Sequence, residues 1–323
     1  MPVAAFIVAF TVGRFPITLF DLYCVFDHVI FGAKTTIADN VQTVILTIRL
    51  PRILGAMLVG GALALSGSCY QGVFRNPLVS PFTLGVSAGA GFGAALAILF
   101  FYTSWSVPVG AFVFSLIAVF GCFAISKFYR ARNTLVLILS GIIIGSVFTA
   151  LLALLKYTAD PFSKLPVIEF WLLGSLSSIG NSDVIVIAVM IAPSAVVLLL
   201  LRWKLNILAL GDEKARQLGV NPRYYRLIVI LAATLVAAAA VSVSGIIGWV
   251  GLVIPHLARI VTGPDFRKLL PVSISFGACF LLLIDSLSRT LTTGEIPLGI
   301  ITALIGAPLF FVLLGRNRLG WVI

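Results

Sequence analysis

Ten apolar stretches limit what this chain can fold into. Residues 1–15, 53–70, 83–101, 107–126, 134–155, 184–201, 227–244, 246–262, 269–288 and 297–314 carry almost no charge. A run of about 17–25 such residues spans a hydrocarbon core of about 30 Å as a helix. Over all 323 residues, 60% are hydrophobic and 10% are charged. Soluble domains carry about 25% charged residues. The expected fold is therefore an all-α polytopic membrane protein, a single domain over 1–323 with about ten transmembrane helices. The run before Arg14 is thirteen residues, about 20 Å as a helix. That is too short to cross, so the first helix is expected to begin upstream of Met1.

The net charge of +11 would point to nucleic acid in a soluble protein. Here it sorts by side. Ten spans put both termini on one side. With the termini inside, the inner loops hold fifteen of the 22 Lys and Arg residues and the outer loops hold seven. Positive charge collects on the cytoplasmic side, so both termini are expected there. Residues 202–226 then form a cytoplasmic loop. Residues 16–52 form a periplasmic loop, in which Phe20, Tyr23, Cys24, Phe26 and Ile30 fall near the spacing of a short interfacial helix. Another short helix is possible within 156–183. No secretory leader pattern is visible at the start. Ser66-Gly67, Pro77 and Gly85 recur 178 residues later as Ser244-Gly245, Pro255 and Gly263. The two sets fall on helices of opposite direction, the pattern of two inverted-repeat-like halves found in transporters.

The most conspicuous polar island is Gly211-Asp212-Glu213-Lys214-Ala215-Arg216-Gln217-Leu218-Gly219. Asp212 and Glu213 sit where the first turn of a short helix favours negative charge. Gly211 can enter that helix, and Gly219 can leave it in a left-handed conformation. Asn221-Pro222 reads as the N-cap and first residue of the next helix. A helix this short is not stable alone in water, so something must pack on it. Asp212 is expected to stabilise the helix start; Glu213 is open between that role and contact with a partner.

The remaining candidates bear on chemistry. No GxxxxGK segment followed by Ser or Thr occurs, so there is no P-loop. No nucleophile–base–acid set is apparent, and no catalytic residue is assigned. Cys24, Cys69, Cys122 and Cys279 show no CxxC spacing and read as small apolar residues. His28 and His256 are too few and too far apart for a metal site. No metal or cofactor is expected. Gly89-Ala90-Gly91-Phe92-Gly93 lies in an apolar span and reads as close helix packing, not a dinucleotide fingerprint. Asp285 and Arg289 can pair on one helical face. His256 follows Pro255 and is expected to satisfy a carbonyl that the proline frees. No acid lies convincingly mid-membrane, which weighs against an ion-coupled secondary transporter or channel. Arg49, Arg52 and Arg289 fall on the outer face. They read either as interfacial arginines with apolar stems buried or as a basic docking surface for an acidic soluble partner.

Taken in order, several motifs resemble the permease subunits of ATP-binding-cassette importers for metal chelates, the iron–siderophore, haem and cobalamin systems. They are Arg49-Leu50-Pro51-Arg52; Gly72 through Arg75-Asn76-Pro77-Leu78 to Pro81 and Leu84-Gly85; Ala209-Leu210-Gly211 to Ala215 and Leu218-Gly219; Gly245 through Gly251 to Pro255-His256 and Arg259; and Ile296-Pro297-Leu298-Gly299 to Gly306-Ala307-Pro308. The resemblance runs from about Gly13 to Leu314. It implies a type II importer permease that pairs with a second copy of itself as a homodimer, with the translocation path between the copies. It also implies two cytoplasmic ATP-binding subunits and a periplasmic substrate-binding protein, in the cytoplasmic (inner) membrane of a bacterium or archaeon. By position, Gly211, Asp212, Glu213, Ala215, Arg216, Leu218 and Gly219 would couple to the ATPase. Arg49, Arg52 and Arg289 would meet the binding protein. Arg132, Asn133 and Thr134 would lie at the cytoplasmic gate. Ser80 stands where many relatives carry Asp, and Trp249 where Phe is usual. Members also move oxyanions such as molybdate or tungstate, so the resemblance leaves the cargo open.

Overall fold

The computed structural model describes residues 2–13, 15–32, 38–101, 103, 105–129, 134–292 and 294–316, with backbone only at 134 and 314–316. Fourteen α-helices account for most of these: α1 (Pro2–Thr11), α2 (Leu19–Phe31), α3 (Asp39–Phe74), α4 (Val86–Phe100), α5 (Ser106–Phe128), α6 (Thr134–Thr158), α7 (Lys164–Leu172), α8 (Asn181–Leu200), α9 (Arg202–Ala209), α10 (Asp212–Gln217), α11 (Pro222–Ser244), α12 (Val250–Thr262), α13 (Phe266–Thr290) and α14 (Leu298–Arg316). Six are long and apolar enough to cross a membrane: α3, α5, α6, α8, α11 and α13. Four shorter apolar helices, α1, α4, α12 and α14, accompany them.

Burial grades the long helices. The most apolar part of α3 is 83% buried and that of α11 is 72%, with 50% for α13, 28% for α5 and 22% for α6 and α8. The first pair forms the interior of this chain, and α5, α6 and α8 lie at its periphery. Lipid is as apolar as leucine, so helix pairing in it relies on close backbone approach and polar contacts. Helix α3 uses both. Gly60 faces Gly277 of α13, and Gly67 faces Gly251 of α12, each so closely that a Cβ would strike backbone. The segment Ser66–Gln71 reaches three different neighbours. Ser66 Oγ donates to the Ala233 carbonyl at 2.7 Å, and the Tyr70 and Thr234 hydroxyls lie 2.7 Å apart, both to α11. Ser68 bonds Ser273 of α13 at 2.9 Å, and Gln71 Nε2 donates to the Leu252 carbonyl of α12 at 3.2 Å. The Gly89–Gly93 run packs as expected: Cβ atoms at Gly89 and Gly93 would meet the carbonyls of Phe114 and Gly110 on α5.

Several boundaries differ from the sequence reading. The crossing helix placed at 53–70 begins at Asp39, through a π-helical turn at Val44–Arg49. The 16–52 segment is thus largely helical, and Arg49 to Arg52 lie inside a helix. Proline at position 51 is tolerated because it falls at the junction where the π turn ends. The helix placed at 246–262 begins at Val250. Gly245 (φ +68°) leaves α11, and Trp249 enters α12 at φ +65°. A bulky residue rarely holds that conformation. Here Trp249 is pinned against Gly306 and Phe310 of α14. The 178-residue offset is not kept residue by residue: Pro77 lies in the turn after α3, whereas Pro255 lies inside α12. The order of elements does repeat. A buried long helix (α3, α11), a break, a short apolar helix (α4, α12) and a long helix (α5, α13) occur once in each half.

Connecting segments are tied together at the two ends of the helices. At one end Leu298 and Gly299 donate backbone N–H groups to the carbonyls of Gly174 and Leu173, and Ser175 N–H donates to Ser244. At the other end Asn206 donates to Asp265 at 2.6 Å and accepts from the Phe266 N–H at 2.9 Å, tying α9 to the start of α13. Asp265 caps that helix, and the donors from Arg267 and Asn206 hold its carboxyl below the usual carboxylate range.

Candidate functional site

Three places on the chain carry candidate function. The first is the island at 211–219. It folds as read: Gly211 (φ +104°) enters α10, and Gly219 (φ +73°) leaves it. The seat that a short helix needs lies within the same chain. Ala215 is fully buried and packs with Ile207 of α9, Val220 and Tyr225. Asp212 reaches Arg226 of α11 at 2.6 Å, which adds an ion pair to its place in the first helical turn. The side chain of Asn221 accepts from the N–H groups of Arg223 and Tyr224, capping α11 as expected. Asn221→Ala should cost about 1 kcal/mol, read as faster amide exchange at the first turn of α11 with no change in the rest of the bundle. What remains outside is an exposed face of Glu213, Lys214, Arg216, Gln217 and Leu218, beside exposed Arg223 and Tyr224. Arg75, in a left-handed conformation at the end of α3, brings its guanidinium beside Gly211. The buried interior helix therefore ends directly under this shelf.

The second place is at the opposite end. The three arginines singled out from the sequence do converge, but below the surface. Arg49, Arg52 and Arg289 are 4%, 6% and 8% exposed. Arg52 Nε donates to Asp285 Oδ1 at 2.9 Å, and its Nη1 to Glu295 Oε1 at 2.7 Å. Arg289 Nε lies 3.1 Å from Asp285 Oδ2, and Arg289 Nη2 reaches the Ala9 carbonyl at 3.4 Å. Arg49 donates to the carbonyls of Phe10 and Phe15. Within this chain these guanidinium groups are buried and tie α1, α3 and α13 together. Asp285 was read only with its helical neighbour Arg289. Its link to Arg52 and the part of Glu295 are long-range pairings, which spacing along the chain cannot show. A charge inside an apolar span was the available signal.

The third place was not found from the sequence. An open groove of about 580 Å³ runs along α6, bounded by Phe82, Thr83, Gly85 and Ala88 on one side and Gly141, Gly145, Ser146 and Thr149 on the other. Among the described residues its polar groups are hydroxyls and backbone, and none of them is charged. Glycines and alanines in an apolar helix read as packing residues, so nothing in the pattern distinguishes a groove from a contact. Of the expected gate, Arg132 and Asn133 lie outside the described residues; Thr134 begins α6, with only its backbone described. His256 is buried beside the Phe310 ring.

Comparison with known proteins places these features in a family. The model of the FecCD transport family matches residues 2–316. This chain belongs to that family. It is 43% identical over 279 residues to the molybdate import system permease protein of Haemophilus influenzae, covering 86% of this chain and 83% of that one. It is 41% identical over 292 residues to the hemin transport system permease protein of Yersinia pestis, covering 88% and 87%. Its fold matches a solved metal-chelate type ABC transporter in an inward-facing conformation, with TM-score 0.88 and 38% identity over 98% of this chain and 96% of that one. The chain is accordingly a multi-pass membrane permease of the ATP-binding-cassette type, the assignment that the ordered motifs implied.

Proposed function

We propose that this chain is the translocation subunit of an ATP-driven importer for a metal chelate of the iron–siderophore, haem or cobalamin type. The observation that carries the reading is the exposed face of α10, seated on α9 and α11 beside the end of α3. Two cytoplasmic ATP-binding subunits would grip that face, through Glu213, Arg216 and Leu218 in particular, while Gly211, Asp212, Ala215 and Gly219 hold its shape. ATP hydrolysis would reside in those partners and the bistable element in this chain. A second copy would close the α6 groove into a path, giving a homodimer. Arg132, Asn133 and Thr134 would form its cytoplasmic gate. A periplasmic binding protein would dock at the other end, on a surface whose shape Arg49, Arg52 and Arg289 fix from beneath. The six long and four shorter apolar helices would together make the ten spans, with both termini in the cytoplasm.

The uncharged groove gives no basis for selecting cargo by charge, so choice of cargo would fall to the binding protein. The relative named for molybdate supports a second reading, the same architecture importing a small oxyanion. Uptake of labelled iron chelate against labelled molybdate in vesicles, with the binding protein supplied, separates the two. Coupling has its own test. Leu218→Asp and Arg216→Glu change only exposed side chains, so stability should stay within about 0.5 kcal/mol. Copurification of the ATP-binding subunits and ATP-dependent uptake should both be lost. Full retention of both in the double variant, or uptake by this chain alone in proteoliposomes, would refute the reading and favour a stand-alone carrier.

A further inference from the structure

The exposed face of α8 runs into a basic patch. Ile185, Val189, Val196 and Leu200 are exposed at helical spacing, and exposed Trp203 continues the line past the junction with α9. A chain that crosses a bilayer meets lipid headgroups where such a line ends, and indole rings settle there. The ring of Trp203 has a cation over it. The guanidinium of Arg267, from the first turn of α13, lies 5.8 Å from the ring centroid, within cation–π range. Asn206 holds the two helices together here through its bonds to Asp265 and to the Phe266 N–H. Arg202 and Lys268 flank the pair along the chain, and both are exposed. All 11 Asp and Glu side chains of the protein lie among the described residues. None of them forms an ion pair with Arg202, Arg267 or Lys268. Asp265, the acid beside them in the chain, accepts from Asn206 and from the backbone N–H of Arg267. Lys204 points elsewhere, with its ammonium 5.3 Å from the Tyr225 ring centroid. Among the described residues the Arg267 guanidinium makes no hydrogen bond, so its donors remain for a ligand.

We propose that Trp203, Arg267 and Arg202 form a site for the phosphate of an anionic phospholipid at this rim of the bilayer, with Lys268 adding to the attraction. Arg267 presents the forked donors that match phosphate oxygens. Trp203 sets the depth of the site and positions Arg267 over its ring, and the apolar line along α8 receives the acyl chains. An acidic segment of another protein would match the charge as well. It would not match the apolar line that leads into the patch, and that continuity selects the lipid. The inference needs only that the chain spans a membrane, and it holds for either leaflet.

The test uses the purified full chain in phosphatidylcholine nanodiscs that carry a small fixed fraction of brominated lipid, either phosphatidylglycerol or phosphatidylcholine. Bromine on the acyl chains quenches the fluorescence of indoles that it approaches. Brominated phosphatidylglycerol should quench more than brominated phosphatidylcholine at the same fraction. The excess should vanish in Trp203→Phe, which assigns it to this ring. In Arg267→Gln it should fall about fivefold, the order for one basic residue at an anionic membrane surface. Arg202→Gln supplies a second reading should that variant fail to fold. Equal quenching by the two lipids, an excess untouched by both arginine variants, or an equal fall in Arg223→Gln at the same end would overturn the site. Inorganic phosphate at constant ionic strength should leave the excess in place; its removal would assign the patch to a free anion instead. Loss of copurifying ATP-binding subunits in Arg267→Gln, with the lipid excess intact, would make the patch a protein contact.

Discussion

Replacing Asp285 by asparagine should lower the free energy of unfolding by about 3–5 kcal/mol. The carboxylate is fully buried and stands between two guanidinium groups, Arg52 at 2.9 Å and Arg289 at 3.1 Å. Removing it leaves two buried cations with no counter-charge on the inner side. The exposed rim acid Glu295 cannot replace it, because it reaches only Arg52 Nη1 and faces solvent. The loss should appear in thermal melts of the purified protein and as early release of α1, which Arg49 and Arg289 tie to the bundle. Asp285→Asn combined with Arg52→Met should recover part of it, since an apolar replacement for a buried ion pair is often neutral or better. If the single variant melts with the wild type, Asp285 does not hold the network together.

The second large effect is expected at Gly67. A methyl group there would lie 1.9 Å from the Gly251 carbonyl oxygen and 2.9 Å from its Cα. Both sides of the contact are backbone, so no side chain can rotate away. Gly67→Ala must push α3 and α12 apart at the centre of the buried interior, at a cost of about 3 kcal/mol. It should also break the Gln71 bond to Leu252, which spans the same crossing. Gly145 on α6 is the control. A Cβ there meets nothing closer than 4.0 Å, and glycine inside a helix is less stable than alanine by about 0.5–1 kcal/mol. Gly145→Ala should therefore leave stability equal or higher. Opposite signs in the two melts support the crossing contact; equal losses would show a general intolerance of alanine instead.

Legibility from sequence differed by feature, for physical reasons. The 211–219 island was legible in detail because its signals are local: two glycines with positive φ, acids in a first turn, and Asn221-Pro222 as a cap. The arginines at 49, 52 and 289 were legible as a set, yet not in their burial. The partners of Arg52 lie more than 230 residues away and those of Arg49 more than 30, and the helix carrying these two arginines begins at Asp39 rather than past Arg52. The α6 groove was not legible, since Gly141, Gly145 and Ala150 look the same in sequence whether they face a neighbour or an opening.

The sequence by itself determined that the chain is a multi-pass helical membrane protein and to which family it belongs. Apolar length, charge asymmetry and ordered motifs are properties of the chain alone, and lipid enforces them one helix at a time. Only the tertiary structure decided which helices form the interior. In lipid, apolarity no longer separates inside from outside. The choice of α3 and α11 as the buried pair rests on glycine crossings and on the Ser66, Ser68, Tyr70 and Gln71 bonds between distant segments. The same holds for the buried arginine cluster. Arg49, Arg52 and Arg289 meet because α1, α3 and α13 converge there, and no stretch of the chain contains all three.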